Sequence, residues 1–195
     1  MTSVVGKLVV LSAPSGSGKT SIAKAILQRF PRMTFSVSAT TRPMRPGETH
    51  GKDYFFLTKA DFQKRIASGE LVEWEEIYTN FYGTLKREVD RALAHGNVML
   101  FDVDVKGALS IKKMYPKESV LIFVRTPSVD ELRKRLESRK TEDQSTIERR
   151  MARVPMELEA GKQFDHTVVN DDLQRAIDEV TAIVQKQVKF DAGKV

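Results

Sequence analysis

The chain has 195 residues, enough for one domain with a sizeable core, and its 41% hydrophobic and 30% charged content is ordinary for a globular protein. It has no cysteine, which excludes disulfides and thiolate metal sites and fits a reducing, cytoplasmic setting. The net charge is +6, for which nucleic acid is one reading, but no basic block with interleaved aromatics accompanies it, and highly charged small anions explain the excess equally well. The three histidines, His50, His95 and His166, lack ligand spacing. No apolar run approaches a membrane span, and Met1 to Ser12 is too short for a signal peptide.

The first element is an apolar run, Leu8 to Leu11, expected as a buried strand. Ala13-Pro14-Ser15-Gly16-Ser17-Gly18-Lys19-Thr20 follows, then a helix from Ser21 to Gln28 with Ile22, Ile26 and Leu27 at helical spacing. Strand, glycine-containing loop, Gly-Lys-Thr and helix form a P-loop arrangement. Its chemistry needs these residue types. Backbone N–H groups can face one concave nest only where no Cβ blocks them, hence Gly16 and Gly18. The helix N-terminus adds partial positive charge. Lys19 supplies a mobile full charge for the β- and γ-phosphates of ATP, and the Thr20 hydroxyl is placed to ligate Mg²⁺. Ala13 stands where the pattern has its first glycine.

Pro31 ends the helix, and Thr34 to Ser38 is a short strand candidate. Arg42 and Arg45 then lie in a segment stiffened by Pro43 and Pro46, where Gly47 also argues against regular structure. Such arginines present guanidinium groups to phosphate at low entropic cost, or are ordinary charges on a solvated loop. Asp53 to Leu57 reads as a strand, and Thr58 with Asp61 caps a helix that stops at Gly69. Leu71 to Tyr78 reads as a strand carrying Glu73 and Trp74, Asn80 to Thr84 as a turn, and Lys86 to Ala94 as a helix.

Val98 to Asp104 returns to the core. An apolar run ending in an aspartate, here Asp102, is the usual partner of a P-loop, its carboxylate near Mg²⁺ directly or through water. Gly107 to Met114 is expected as a helix and Val120 to Val124 as a buried strand. Ser128 with Glu131, and Ser145 with Glu148, read as capping boxes of two helices bearing Arg133, Arg135, Arg139, Arg149, Arg150 and Arg153. The pair is either an arginine-bearing lid or a charged hairpin with a solvated face. Thr167 to Asn170 is the last strand, and Asp172 to Lys189 the closing helix, whose periodic apolar residues are core.

These segments in this order resemble the guanylate kinase family over nearly the whole chain. The carrying motifs are the P-loop, Ser36 to Arg42 with Arg45, Gly47 and Glu48, Gly51 to Phe56, Glu73-Trp74, Tyr82-Gly83-Thr84, Asp102-Val103-Asp104, Gly107 and Val169 to Leu173. The resemblance implies an α/β fold: a P-loop NTPase core with a parallel sheet flanked by helices, a small strand-rich GMP-binding region and a helical lid. The implied boundaries are 1–35, 95–127 and 155–195 for the core, 36–94 for the GMP-binding region and 128–154 for the lid. It implies the reaction ATP + GMP giving ADP + GDP, with dGMP accepted and Mg²⁺ required. It leaves the oligomeric state open, with no nucleic-acid or membrane partner.

By family position Ser38, Arg42, Arg45, Tyr54 and Tyr82 hold the GMP phosphate, while Glu73, Thr84 and Asp104 read guanine. Arg135, Arg139 and Arg150 are the lid cations, and Asn170 lies near the adenine of ATP. Thr84 stands where serine is common, and Lys140 where glycine is usual.

The nucleophile would be a GMP phosphate oxygen. Its second pKa near 6 leaves it mostly dianionic at neutral pH, so no general base is needed. Catalysis must come from neutralisation and alignment, for which Lys19, Mg²⁺, Arg42, Arg45 and the lid arginines have the chemistry. A carboxylate at Glu73 can accept from both N1–H and the 2-amino group of guanine, donors that adenine lacks at that edge. Two competing readings are a guanylate-kinase-like module that binds protein without catalysis, and a kinase of another acceptor. Gly18-Lys19-Thr20 with Arg42, Arg45 and Glu73 argues against the first, and Glu73 with Thr84 against the second.

Overall fold

The computed structural model of the protein describes residues 6–77, 79–138 and 143–188. In chain order the elements are β1 (Lys7–Ser12), α1 (Lys19–Arg29), β2 (Met33–Phe35), β3 (Ala39–Thr40), β4 (Phe55–Phe56), α2 (Lys59–Ala67), β5 (Leu71–Ile77), β6 (Asn80–Leu85), α3 (Lys86–Ala94), β7 (Val98–Asp102), α4 (Val105–Met114), β8 (Ser119–Arg125), α5 (Val129–Ser138), α6 (Gln144–Gly161), β9 (His166–Val169) and α7 (Leu173–Gln187). Five strands form a parallel sheet in the order β2-β7-β1-β8-β9.

The central strand explains the run Leu8 to Leu11. Side chains alternate across a strand, and here both faces are covered, so the run is continuously apolar. Val9 and Leu11 pack with Ile22 and Ile26 of α1 and with Ala176, Val180 and Val184 of α7. Leu8 and Val10 pack on the other face with Val89 of α3 and with Ala108 and Ile111 of α4. Burying each such aliphatic side chain stabilises the fold by about 1.5–3 kcal/mol. The sheet therefore holds the C-terminal ends of β1 and β7, where the site forms, on a rigid base.

A second sheet, β4-β3-β6-β5, stands on the insertion between β2 and α3. Phe62 of α2 is fully buried beneath it and stacks on Phe81 with ring centroids 5.4 Å apart. Thr58 caps α2 by accepting the Asp61 N–H at 3.1 Å, as the capping motif predicts.

Several local expectations need correcting. Asn80 to Thr84 is not a turn: it is most of strand β6, paired antiparallel with β5 so that Glu73 faces Thr84 and Trp74 faces Gly83. Gly83 signals close approach here, since a Cβ on it would stand 2.6 Å from the Glu73 carbonyl oxygen. Of Asp53 to Leu57, only Phe55–Phe56 is strand. Asp143, not Ser145, caps α6, accepting the Thr146 N–H at 2.7 Å. Glu148 is thereby free to pair with Arg133 of α5 at 2.6 Å. α6 continues through Pro155 to Gly161. Tyr78, Lys140 and Lys189, at the edges of expected segments, lie outside the described residues.

Candidate active site

The loop between β1 and α1 is held from beneath. Gly16 and Gly18 take φ of 96° and 90°, the left-handed region that glycine reaches without a Cβ penalty. The side-chain amide of Asn170, itself buried, donates to the Ser17 carbonyl at 2.8 Å. The Asn170 backbone N–H donates to the Arg125 carbonyl at 2.8 Å, which ties it to the end of β8. A Cβ at Gly18 would stand 2.3 Å from that amide nitrogen. Asn170, expected near adenine, therefore spends its side chain on the loop itself.

Lys19 opens α1 and turns back toward the sheet. Its ammonium lies 2.5 Å from the Asp102 carboxylate at the end of β7 and donates to the Val103 carbonyl at 2.9 Å. Thr20 is exposed, one residue further along the first turn. The loop forms one wall of a cleft of about 540 Å³. Arg149, Arg150, Arg153 and Glu157 of α6 line the same cleft, as do Glu75 and Asp104. Arg150 donates to the Ser15 hydroxyl of the loop. Arg153 lies 3.6 Å from both Asp104 and Glu157. Burial pushes the Glu157 carboxyl above its ordinary range.

Of the other expected lid cations, Arg135 pairs with Glu131 of its own helix at 2.9 Å, and Arg139 lies outside the described residues. The choice of Arg150 alone from α6 omitted Arg149 and Arg153. Their signal was available: residues 149 and 153 are four apart and so share a helix face. Glu75 was likewise readable as two residues beyond Glu73, on the same side of an extended chain.

The second sheet brings the expected acceptor residues together. Thr84 donates to Glu73 at 2.6 Å, directly across the β5–β6 pair. The other oxygen of Glu73 would be 3.2 Å from a Cβ on Gly107, and Asp104 caps α4 by accepting the Gly107 N–H at 2.8 Å. Glu73 and Asp104 thus converge on the start of α4. Burial pushes the Glu73 carboxyl up to about 7, and the neighbouring charges of Asp104 and Glu75 push the same way, while the Thr84 hydrogen bond opposes them. Arg42 lies 5.3 Å from the centre of the Tyr54 ring, and that ring meets Tyr82 edge-on at 6.2 Å. Ser38 and Tyr54 line a smaller pocket of about 280 Å³ with Asp102 and Val103. Arg45 is exposed, and its backbone N–H donates to Glu48.

A family model described as guanylate kinase matches residues 5–187. A guanylate kinase of Chlorobium luteolum is 49% identical over 176 residues, covering 90% of this chain and 89% of the relative. The chain belongs to the guanylate kinase family. A second relative, the guanylate kinase of Salinibacter ruber, is 48% identical over 180 residues, covering 92% of this chain and 95% of its own. The crystal structure of guanylate kinase from Anaplasma phagocytophilum has a TM-score of 0.71 at 30% identity, over 95% of this chain and 88% of that one.

Membership of the guanylate kinase family implies a magnesium ion, and the donor chemistry fits it. The Thr20 hydroxyl in the cleft and the Asp102 carboxylate behind Lys19 are hard oxygen donors, the type Mg²⁺ takes in small number when phosphates and water supply the rest. Among the described residues no helix is long and apolar enough to cross a membrane.

Proposed function

We propose that the cleft beside the loop takes ATP and that the side chains around Arg42 and Glu73 take GMP. The activity is that of the family: the γ-phosphoryl group of ATP passes to GMP, giving ADP and GDP, a step of purine nucleotide metabolism. Lys19 carries the proposal. Its loop lines the cleft, while its ammonium touches Asp102 and Val103, which line the pocket of Ser38 and Tyr54. Lys19 thus joins the lining of the first space to that of the second.

In the reaction a GMP phosphate oxygen attacks the γ-phosphorus, and the bond to the β,γ-bridging oxygen breaks as ADP leaves. The backbone of Ala13 to Gly18, with Pro14, Ser15, Gly16 and Ser17 between, cradles the ATP phosphates, and Asn170 braces that backbone. Lys19 neutralises charge on the β- and γ-phosphates. Arg150, already on the loop at Ser15, and Arg135 and Arg139 from the hairpin complete the neutralisation over the transferred group. Thr20, and Asp102 directly or through water, would hold Mg²⁺, which when bound would shield the phosphate charges.

Ser38, Arg42, Arg45, Tyr54 and Tyr82 hold the GMP phosphate. Glu73 accepts from guanine N1–H and the 2-amino group, with Asp104 beside it. The Thr84 hydroxyl, now on Glu73, rotates to donate to O6. An acceptor without those donors leaves Glu73 with Thr84 alone as its partner, and a site built to pair such donors can penalise their absence by up to roughly 10⁴. The same reading includes dGMP as an acceptor. The division into core (1–35, 95–127, 155–195), GMP-binding region (36–94) and lid (128–154) belongs to the same proposal, as does a cytoplasmic location, supported by the absence of cysteine.

A coupled assay for ADP with GMP, dGMP, AMP, UMP and dTMP in parallel tests this reading. Turnover with GMP and dGMP alone is expected. Turnover with AMP at a comparable rate would remove Glu73 as the base-reading group, and no turnover in protein that still binds GMP would favour a binding module.

A further inference from the structure

Glu48 stands in the motif that links Arg42 and Arg45, and the chemistry above gives it no task. Its surroundings do. Both of its oxygens receive the end of the Arg42 guanidinium, from Nη1 at 3.0 Å and from Nη2 at 2.7 Å. The same carboxylate accepts the Arg45 backbone N–H at 2.7 Å. In return the Glu48 N–H donates to the Arg45 carbonyl at 3.1 Å, closing a turn in which Gly47 takes a φ of 87°.

Arg42 is therefore constrained in two senses. Its cationic centre lies over two rings, with its central carbon 5.3 Å from the centre of Tyr54 and 5.7 Å from that of Phe56. Its edges are also allotted. A guanidinium has five N–H donors in a fixed fork. Glu48 takes one from each terminal nitrogen, and the Pro43 carbonyl takes the second from Nη1 at 2.7 Å. The remaining donors, Nε–H and the second N–H of Nη2, lie side by side along one edge, and the Tyr82 hydroxyl, itself assigned to the acceptor phosphate, interacts with the same guanidinium. That edge can grip two oxygens of a phosphate at once.

We infer that Glu48 is a positioning residue for the acceptor phosphate: it holds Arg42 so that only its Nε/Nη2 edge is offered to that phosphate. The inference rests on the assignment of Arg42 to the GMP phosphate made above. A carboxylate next to a site for a dianion also repels it, so two effects of opposite sign compete. A purely repulsive Glu48 would make GMP bind tighter when the charge is removed. A positioning Glu48 makes GMP bind more weakly, because Arg42 must then be ordered on binding and loses its preset edge.

Steady-state kinetics of four variants decides between them. Glu48→Gln keeps the size but weakens the grip, and should raise the KM for GMP about tenfold, the scale of one charge-assisted hydrogen bond, with kcat and the KM for ATP within about twofold of wild type. Glu48→Asp keeps the charge and shortens the reach, and should raise the KM for GMP too; a wild-type value there would leave only a charge effect and overturn the inference. Arg42→Ala should raise the KM for GMP, and adding Glu48→Gln to it should change nothing further, because Glu48 acts through Arg42. A KM for GMP that is unchanged or lower in Glu48→Gln, or a double variant whose effect is the product of the two single ones, overturns the inference. If Arg42→Ala itself leaves the KM for GMP at wild type, the phosphate assignment fails instead. The retained kcat and ATP KM separate loss of positioning from loss of the fold.

Discussion

The loop between β1 and α1 is built from consecutive residues and braced through main-chain groups: Gly16 and Gly18 at positive φ, and the Ser17 carbonyl on Asn170. The acceptor side is assembled from side chains on four separate stretches: Ser38 and Arg42 flank β3, Tyr54 precedes β4, Glu73 is on β5 and Thr84 on β6. The two also differ in how charge is kept. The loop carries one ammonium, held on Asp102 and Val103. The acceptor side carries one close ion pair, Arg42 on Glu48, and a group of like charges, Glu73 with Asp104 and Glu75 near enough to raise its pKa. A backbone nest has little to reorganise when phosphate arrives. A side-chain site must be held by partners, and those partners tune it.

The largest effect that tests this contrast is at Lys19. Replacing it by Ala should lower kcat by roughly 10²–10³-fold while GMP still binds, since the ammonium acts on the transferring group. Single-turnover kinetics with calorimetry of GMP would show it, and a kcat near wild type would break the loop's assigned role.

Next comes the pH response of the acceptor side. Guanine needs Glu73 as the anion, whereas the free carboxyl sits at about 7. The folded value is raised, so the anion is lost as pH falls through 7, and the KM for GMP should rise about tenfold per unit below that point. The GMP phosphate itself titrates near 6. In Glu73→Gln only that lower step should remain. A wild-type profile identical in shape to that of Glu73→Gln would remove Glu73 from the response.

The smallest effect lies beneath the loop. Asn170→Ala strips the Ser17 carbonyl of its buried partner and should cost about 1–3 kcal/mol of stability. It should raise the KM for ATP several-fold and leave that for GMP unchanged. Thermal unfolding and the two KM values check this, and an equal rise in both would mean that the two regions are not separately braced.

Much of the loop side was legible because its information is local. Strand, glycines, Gly-Lys-Thr and helix lie within residues 7–29, and the structure forms them there. The acceptor side was legible only by resemblance, and its local structure was partly misread. Asn80 and Gly83 look like turn residues, yet Gly83 is in a strand because the neighbouring backbone comes too close for a side chain. Asn170 is a different case: nothing in a linear reading shows that residue 170 packs under residue 17.

The sequence by itself determined the parallel α/β core, the place of the loop and the presence of one lysine at its end. Apolar periodicity and glycine placement act over a few residues and do not depend on distant partners. Only the tertiary structure decided that Thr84 faces Glu73, that α6 lends Arg149, Arg150 and Arg153 to one cleft, and that Glu48 occupies the end of Arg42. Those are outcomes of strand register and helix packing. Register is selected by the buried face of a whole sheet and packing by its whole surface, and neither is written in any one segment.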